Sequence, residues 1–200
     1  MHGEQGSRSY LVCATILLFV FCLPACPGPR TGRIALPEQK RQPIVTTADL
    51  EQRIHDRINA VRKGQGLPAL LFDRKLAAIA RNHSTDMSKR GYFSHSSPEG
   101  RDFTYRYRQA GYTCAVARGT VIYGGAENIA LNNLYRSVTI IDGRSYHDWS
   151  SAAAIAESTV EGWMNSSGHR KNILAPQWSC EGIGVHIGSD DRVLITQNFC

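Results

Sequence analysis

The stretch Gly162-Trp163-Met164-Asn165-Ser166-Ser167-Gly168-His169-Arg170-Lys171-Asn172-Ile173-Leu174 decides how this chain is read. Before it, Ala152, Ile155, Ala156, Thr159, Val160 and Trp163 recur at helical spacing, which predicts a helix over about Ser151–Asn165. After it come Pro176 and two strand-like segments, Cys180–Ile187 and Val193–Cys200. The join is rich in Ser and Gly and too polar for a core, so a loop is expected there, carrying His169. Loops held by rigid elements concentrate function. The question becomes which distant residues His169 meets.

Working outward, three more helices are expected. Thr46 has the hydroxyl and Asp49 the following acid of a helix start, and Leu50, Ile54, Ile58 and Val61 form one face up to Gly64. Asp73 caps a second helix with the stripe Leu76, Ala80, His83 and Met87, closed by Gly91. His83 shares that apolar face, which reads as a hydrogen-bonded core histidine. Asp102 caps a short third helix with Phe103, Tyr107 and Ala110 on one side. Val116–Tyr123 reads as a strand, and residues 131–148 as an irregular polar surface insertion. Gly125 and Gly168 are expected to adopt backbone angles that side chains resist.

Composition bounds the class. The 200 residues are 42% hydrophobic and 20% charged, ordinary for one globular domain. The net charge of +6 is spread rather than clustered, and no nucleic-acid motif accompanies it, so it reads as solvation. Residues 1–26 read as a secretory signal: Arg8 flanks the apolar run Leu11–Leu23. As a helix that run spans about 20 Å, short of a hydrocarbon layer of about 30 Å. Leu23-Pro24-Ala25-Cys26 resembles a bacterial lipoprotein cleavage box with Cys26 as the acylated residue; the alternative is ordinary cleavage nearby, with release. Residues 27–45, with Pro27, Gly28, Pro29, Gly32, Pro37 and Pro43, read as a tether. The folded domain is expected over 46–200.

Cys114, Cys180 and Cys200 follow the signal, and an exported compartment permits disulfides. Folding the last two strands about residue 190 sets Cys180 opposite Cys200 in antiparallel register, which predicts a Cys180–Cys200 disulfide. Cys114–Cys180 is the competing pair. No Cys-x-x-Cys motif points to a cysteine metal or redox site.

Three polar residues, His95, Glu127 and His169, fall between the expected elements. Two imidazoles and a carboxylate are what zinc binding or acid–base chemistry uses. Phe93-Ser94-His95, then Glu127-Asn128-Ile129, then Gly162-Trp163-Met164-Asn165-Ser166 running into Gly168-His169-Arg170-Lys171-Asn172-Ile173-Leu174 occur in that order. Together with Leu67-Pro68-Ala69-Leu70 and Gly182-Ile183-Gly184-Val185, they resemble the CAP superfamily (cysteine-rich secretory proteins, antigen 5, pathogenesis-related 1; the SCP domain), in a compact bacterial form.

The resemblance implies an α+β fold, a three-layer α-β-α sandwich with about four helices around a small, mostly antiparallel sheet. It implies a cleft lined by two histidines and two acids that holds a divalent metal, often zinc, in eukaryotic members. By motif the histidines are His95 and His169 and the first acid is Glu127. Where those members carry the second acid, this chain has Asn165 and Ser166. Three protein ligands and a water satisfy an open zinc site, so Zn is the candidate cofactor. The family implies an extracellular binding module, with lipid, sterol or an envelope component as partner. The alternative is a hydrolase, protease-like, using His95 or His169 as base and Glu127 to orient it or hold a metal. No Gly-x-Ser-x-Gly elbow supplies a nucleophile.

Overall fold

The computed structural model describes Leu36 and residues 38–200; the signal segment 1–26, Cys26 and the first part of the 27–45 tether lie outside the described residues. From Leu36 to Cys200 the chain forms one compact unit. Elements are numbered in chain order.

The starts of the first three helices are made by the side chains predicted for them. Thr46 Oγ1 accepts from Asp49 N at 3.2 Å and opens α1 (Thr47–Gly64). Asp73 Oδ1 accepts from Lys75 N and Leu76 N and opens α2 (Arg74–Arg90), which ends at Gly91 in the left-handed region. Asp102 caps α3 (Phe103–Gln109), and Ser151 caps α4 (Ala152–Asn165). These oxygens satisfy amide donors that a helix start leaves without partners.

The central sheet contains β1 (Leu71–Phe72), β4 (Ala126–Asn133), β7 (Cys180–Ile187) and β8 (Arg192–Phe199), in the order β1-β7-β8-β4. Only β1 and β7 run parallel; β8 pairs antiparallel with both neighbours. On one face Leu50, Ile54 and Ile58 of α1 and Ile155, Ala156, Val160 and Trp163 of α4 pack with Ile183, Val185, Ile195 and Phe199. Fully burying such a side chain is worth roughly 1.5–3 kcal/mol, so this layer dominates stability. On the other face lies α2, seated directly on the backbone of β7. A Cβ on Gly182 would stand 2.2 Å from Ala77 N, and one on Gly184 2.0 Å from Arg81 N. The Gly-Ile-Gly-Val pattern therefore permits helix and strand to touch. The result is the α-β-α sandwich of a small mixed sheet, with five helices rather than four among the described residues.

The fifth helix is the first correction. The stretch read as a loop carrying His169 coils into α5 (Ser167–Ile173). Gly168 is helical and outside the positive-φ set, whereas Gly125 does need its freedom, at φ 105°. Two further corrections concern hairpins. Val116–Tyr123 is not one strand but β2 (Val116–Arg118) and β3 (Val121–Tyr123), folded about Gly119 at φ 58°. Residues 131–148 are largely exposed apart from the buried Leu134, but not irregular: β4 runs on to Asn133, then β5 (Tyr135–Ile141) and β6 (Arg144–Trp149) pair antiparallel. Asp142 and Gly143 turn that hairpin at φ 50° and 73°, the two consecutive positive angles a two-residue turn needs.

The disulfide also differs. Cys180 does lie opposite Cys200, and the two exchange backbone hydrogen bonds at 2.9 and 3.0 Å. The bond joins Cys114 to Cys200, whose Cα atoms are 5.6 Å apart, and Cys180 is free. Opposite residues in a hydrogen-bonded pair hold their Cβ atoms toward about 5.5 Å, wider than the roughly 3.5–4.5 Å a disulfide requires. Cys114, outside the ladder, is not so constrained.

Candidate functional site

The structure brings His95, Glu127 and His169 together from three different kinds of segment. Of the three, only His95 sits in a loop, between α2 and α3; Glu127 is on the edge strand β4 and His169 on α5. The His95 and His169 rings lie with centroids 6.3 Å apart and their planes tilted by 49°. His95 Nδ1 lies 3.0 Å from Glu127 Oε1. Glu127 is buried to 1% side-chain exposure, whereas the His95 ring is half exposed at 49%.

Two residues that sequence reasoning did not place here complete the site. Arg106 on α3 donates from Nη2 to Glu127 Oε2 at 2.6 Å and to the carbonyl of His95 at 3.1 Å. Its Nη1 donates to Arg101 O at 3.0 Å. His83, read as a core histidine, is buried and bonded through Nε2 to Ser94 O at 3.0 Å, and it also stands 3.9 Å from Glu127 Oε1. The signal for Arg106 was indirect: a buried carboxylate requires a cationic or hydrogen-bonding partner, but nothing local marks which one.

Charge is balanced inside this cluster. Burial pushes the His83 imidazole below its usual range, against the pull of Glu127. Burial does the same at His169, with the His95 ring adding to it. Both rings are therefore neutral near pH 7, and the Glu127 carboxylate is balanced by Arg106.

The backbone carrying these groups is held by buried amides. Asn172 Nδ2 donates to Asn128 Oδ1 at 2.9 Å and to Glu127 O at 3.3 Å, tying α5 to β4. Asn128 Nδ2 reaches His169 O at 3.3 Å and Gln197 Oε1 at 2.9 Å. From α1, the fully buried Arg62 donates to Ile173 O at 2.7 Å and Ala175 O at 3.0 Å, capping the end of α5. Asn128 and Asn172 thus hold strand and helix together.

Ser166 and His169 line one end of a groove of about 350 Å³ between β4 and α4. Its walls include Ile129, Ala130, Leu131 and Trp163, with Thr159 and Gly162 along α4. Trp163 Nε1 donates to Ile129 O at 2.9 Å, which satisfies an edge-strand carbonyl and leaves the indole beside the groove. Asn165 is exposed at the end of α4 and outside this lining.

The donor set does not fit a divalent metal. Both Glu127 oxygens are engaged, Oε2 by a guanidinium and Oε1 by His95. Asn165 and Ser166 supply no second carboxylate, and among the described residues no group of three or more His, Cys, Asp or Glu has metal-holding geometry. Zinc sites need three or four converging donors free to coordinate.

Comparison with known proteins agrees with this architecture. Residues 55–199 match CAP, the cysteine-rich secretory protein family. The membrane protein YlbC of Bacillus subtilis is 34% identical over 166 residues, covering 82% of this chain and 38% of that protein. YkwD of the same organism is 32% identical over 157 residues, covering 74% and 46%. The chain thus spans less than half the length of these curated relatives. An extracellular SCP-domain protein from Bacillus anthracis superposes with a TM-score of 0.54 at 28% identity, over 80% of this chain and 44% of that one. An outer surface protein from Borrelia burgdorferi shares the fold, at a TM-score of 0.56 and 17% identity, over 78% of this chain and 94% of that one.

Proposed function

We propose that this chain, which belongs to the cysteine-rich secretory protein (CAP) family, works as an extracellular binding module. Its ligand is a small amphipathic molecule, lying in the β4–α4 groove with its polar end at His169 and His95. The observation that carries this reading is the groove itself: an apolar wall of Ile129, Leu131 and Trp163 ends at the His169 imidazole, with the His95 ring centroid 6.3 Å from it. A mostly apolar pocket with a few convergent polar groups is the usual form of a small-molecule site. The apolar run Leu11–Leu23 supports export, with either release or an anchor on Cys26. The extracellular relative from Bacillus anthracis supports the same location.

Gly162 offers a clean test, because a side chain added there enters open space. A dansylated fatty acid is titrated into the purified chain and followed by its fluorescence. Gly162→Leu, which fills the groove without straining the helix, is expected to weaken binding at least ten-fold while melting no lower than wild type. Equal binding by both proteins rejects the groove as the site.

A hydrolytic reading is favoured by one specific feature, the buried Glu127 set against Nδ1 of a half-exposed imidazole. Such a pair orients a general base. Against it, neither His95 nor His169 has a serine, threonine or cysteine hydrogen-bonded to its ring among the described residues. An esterase assay that loses its signal on His95→Ala would restore this reading in place of the first.

A further inference from the structure

We infer that Arg106 is the resident cation of the cleft: it supplies to Glu127 the positive charge, and to the surrounding loop the cross-link, that a bound dication would provide. The site is thereby closed to divalent metals.

The need for a cation arises at Glu127. Its side chain is 1% exposed and lies among His83, His95 and the backbone of β4. An ionised carboxylate in such a place needs a counter-charge within hydrogen-bond distance. Arg106 meets that need with a guanidinium at 2.6 Å. Its own side chain is only 14% exposed, so the pair is largely screened from water and salt.

Arg106 also does the mechanical work of a bound ion. One guanidinium joins Glu127 on β4 to the carbonyls of His95 and Arg101, at 3.1 and 3.0 Å. Three chain segments, β4, the His95 loop and α3, converge on it. The side chain keeps this geometry although its Nε is buried without a partner. A spare donor left behind in this way indicates that the Nη contacts set the conformation.

A dication entering between His95 and His169 would meet a carboxylate already neutralised and a guanidinium at close range. Coordination by Oε2 would set the dication against the Arg106 guanidinium at 2.6 Å from that oxygen, and coordination by Oε1 competes with His95. Removing the guanidinium reverses both conditions. It frees Oε2 and leaves a buried negative charge flanked by His83, His95 and His169. The metal is then favoured where it was excluded.

Zinc titration calorimetry on the purified full chain tests this, with cobalt(II) absorption as the spectroscopic readout. Wild type is expected to show no cleft site. Arg106→Gln is expected to gain one, at least ten-fold tighter than any wild-type binding, with tetrahedral cobalt bands that His169→Ala removes. Arg106→Lys, which keeps the charge, is expected to behave as wild type. Zinc binding by wild type that His95→Ala abolishes overturns the inference, as does a folded Arg106→Gln protein with no gain. Should Arg106→Gln fail to fold, the wild-type imidazole proton resonances of His95 and His169 decide. Resonances unmoved by excess zinc uphold the assignment, and a zinc-dependent shift overturns it. None of these readouts depends on the β4–α4 groove, so a failure here and a failure of amphiphile binding are separately visible.

Discussion

Gln197 donates from Nε2 to Glu181 Oε2 at 2.5 Å in the middle of the sheet, where both residues are wholly buried. The contact belongs to a longer chain of side chains. Glu181 Oε1 faces His55 Nδ1 at 2.6 Å on α1, and Gln197 Oε1 accepts from Asn128 Nδ2 at 2.9 Å. Asn128 in turn accepts from Asn172 on α5 at 2.9 Å. A polar path thus crosses the core from α1 to the helix that carries His169. Each amide in it has one orientation that satisfies both neighbours, set by the acceptor oxygen of Glu181.

Gln197→Leu should therefore be far more costly than its conservative volume suggests. It leaves Glu181 Oε2 and Asn128 Nδ2 buried without these partners, a loss of about 3 kcal/mol. Urea unfolding followed by far-ultraviolet circular dichroism measures it. A loss below about 1 kcal/mol would mean that the path contributes little to stability.

The seating of α2 on β7 makes a second prediction. A methyl at Gly182 meets Ala77 N and Leu76 C at 2.2 and 2.3 Å, both backbone atoms that cannot rotate aside. Gly182→Ala should destabilise by about 3 kcal/mol, the upper end of overpacking costs. Gly162→Ala, on open helix surface, should be neutral or stabilising in the same denaturation series. Similar effects at both positions would contradict the close approach.

Stability should fall in mildly acid solution. The folded-state pKa of His83 is lowered by burial, and that of His169 by burial with His95 adding. For a lowered pKa the folded protein binds fewer protons than the unfolded chain. The stabilisation is thus complete above the unfolded value of about 6.5 and is lost progressively as pH falls below it toward the folded value. Thermal melting from pH 7.5 to 5 should show the midpoint dropping below about pH 6.5. His83→Gln, which retains a donor for Ser94 O, should flatten that slope, and an unchanged slope would remove His83 from the account.

The disulfide separates two otherwise similar cysteines. Cys114→Ala opens a loop closed over a sequence separation of 86 residues. It should cost about 4.5 kcal/mol on the loop-entropy description. Cys180→Ala, which breaks no disulfide, should cost less than about 1.5 kcal/mol. Non-reducing peptide mapping should recover Cys114 with Cys200; a Cys180–Cys200 peptide would reverse the assignment.

Legibility in the sequence followed the range of the interactions involved. Thr46, Asp73, Asp102 and Ser151 act on amides two or three residues away, so the starts of four helices were readable from neighbours alone. The α5 helix was not, because its ends are held from afar. Arg62 on α1 caps its last carbonyls and Asn128 on β4 anchors its middle, while its own Ser and Gly residues suggest a loop. The Asp142-Gly143 turn was a local signal and was missed in a polar stretch whose strands bury little.

By itself the sequence determined the first four helices and their apolar faces, the two closing strands and the register that sets Cys180 against Cys200. All of these depend on periodicity and nearest neighbours. Tertiary structure alone decided which cysteine closes the disulfide, because the ladder that aligns two cysteines also holds their Cβ atoms apart. It alone decided that Arg106 neutralises Glu127, two residues on separate elements joined at 2.6 Å. A buried charge dictates that a partner exist, and only the packing of α3 against β4 selects which one.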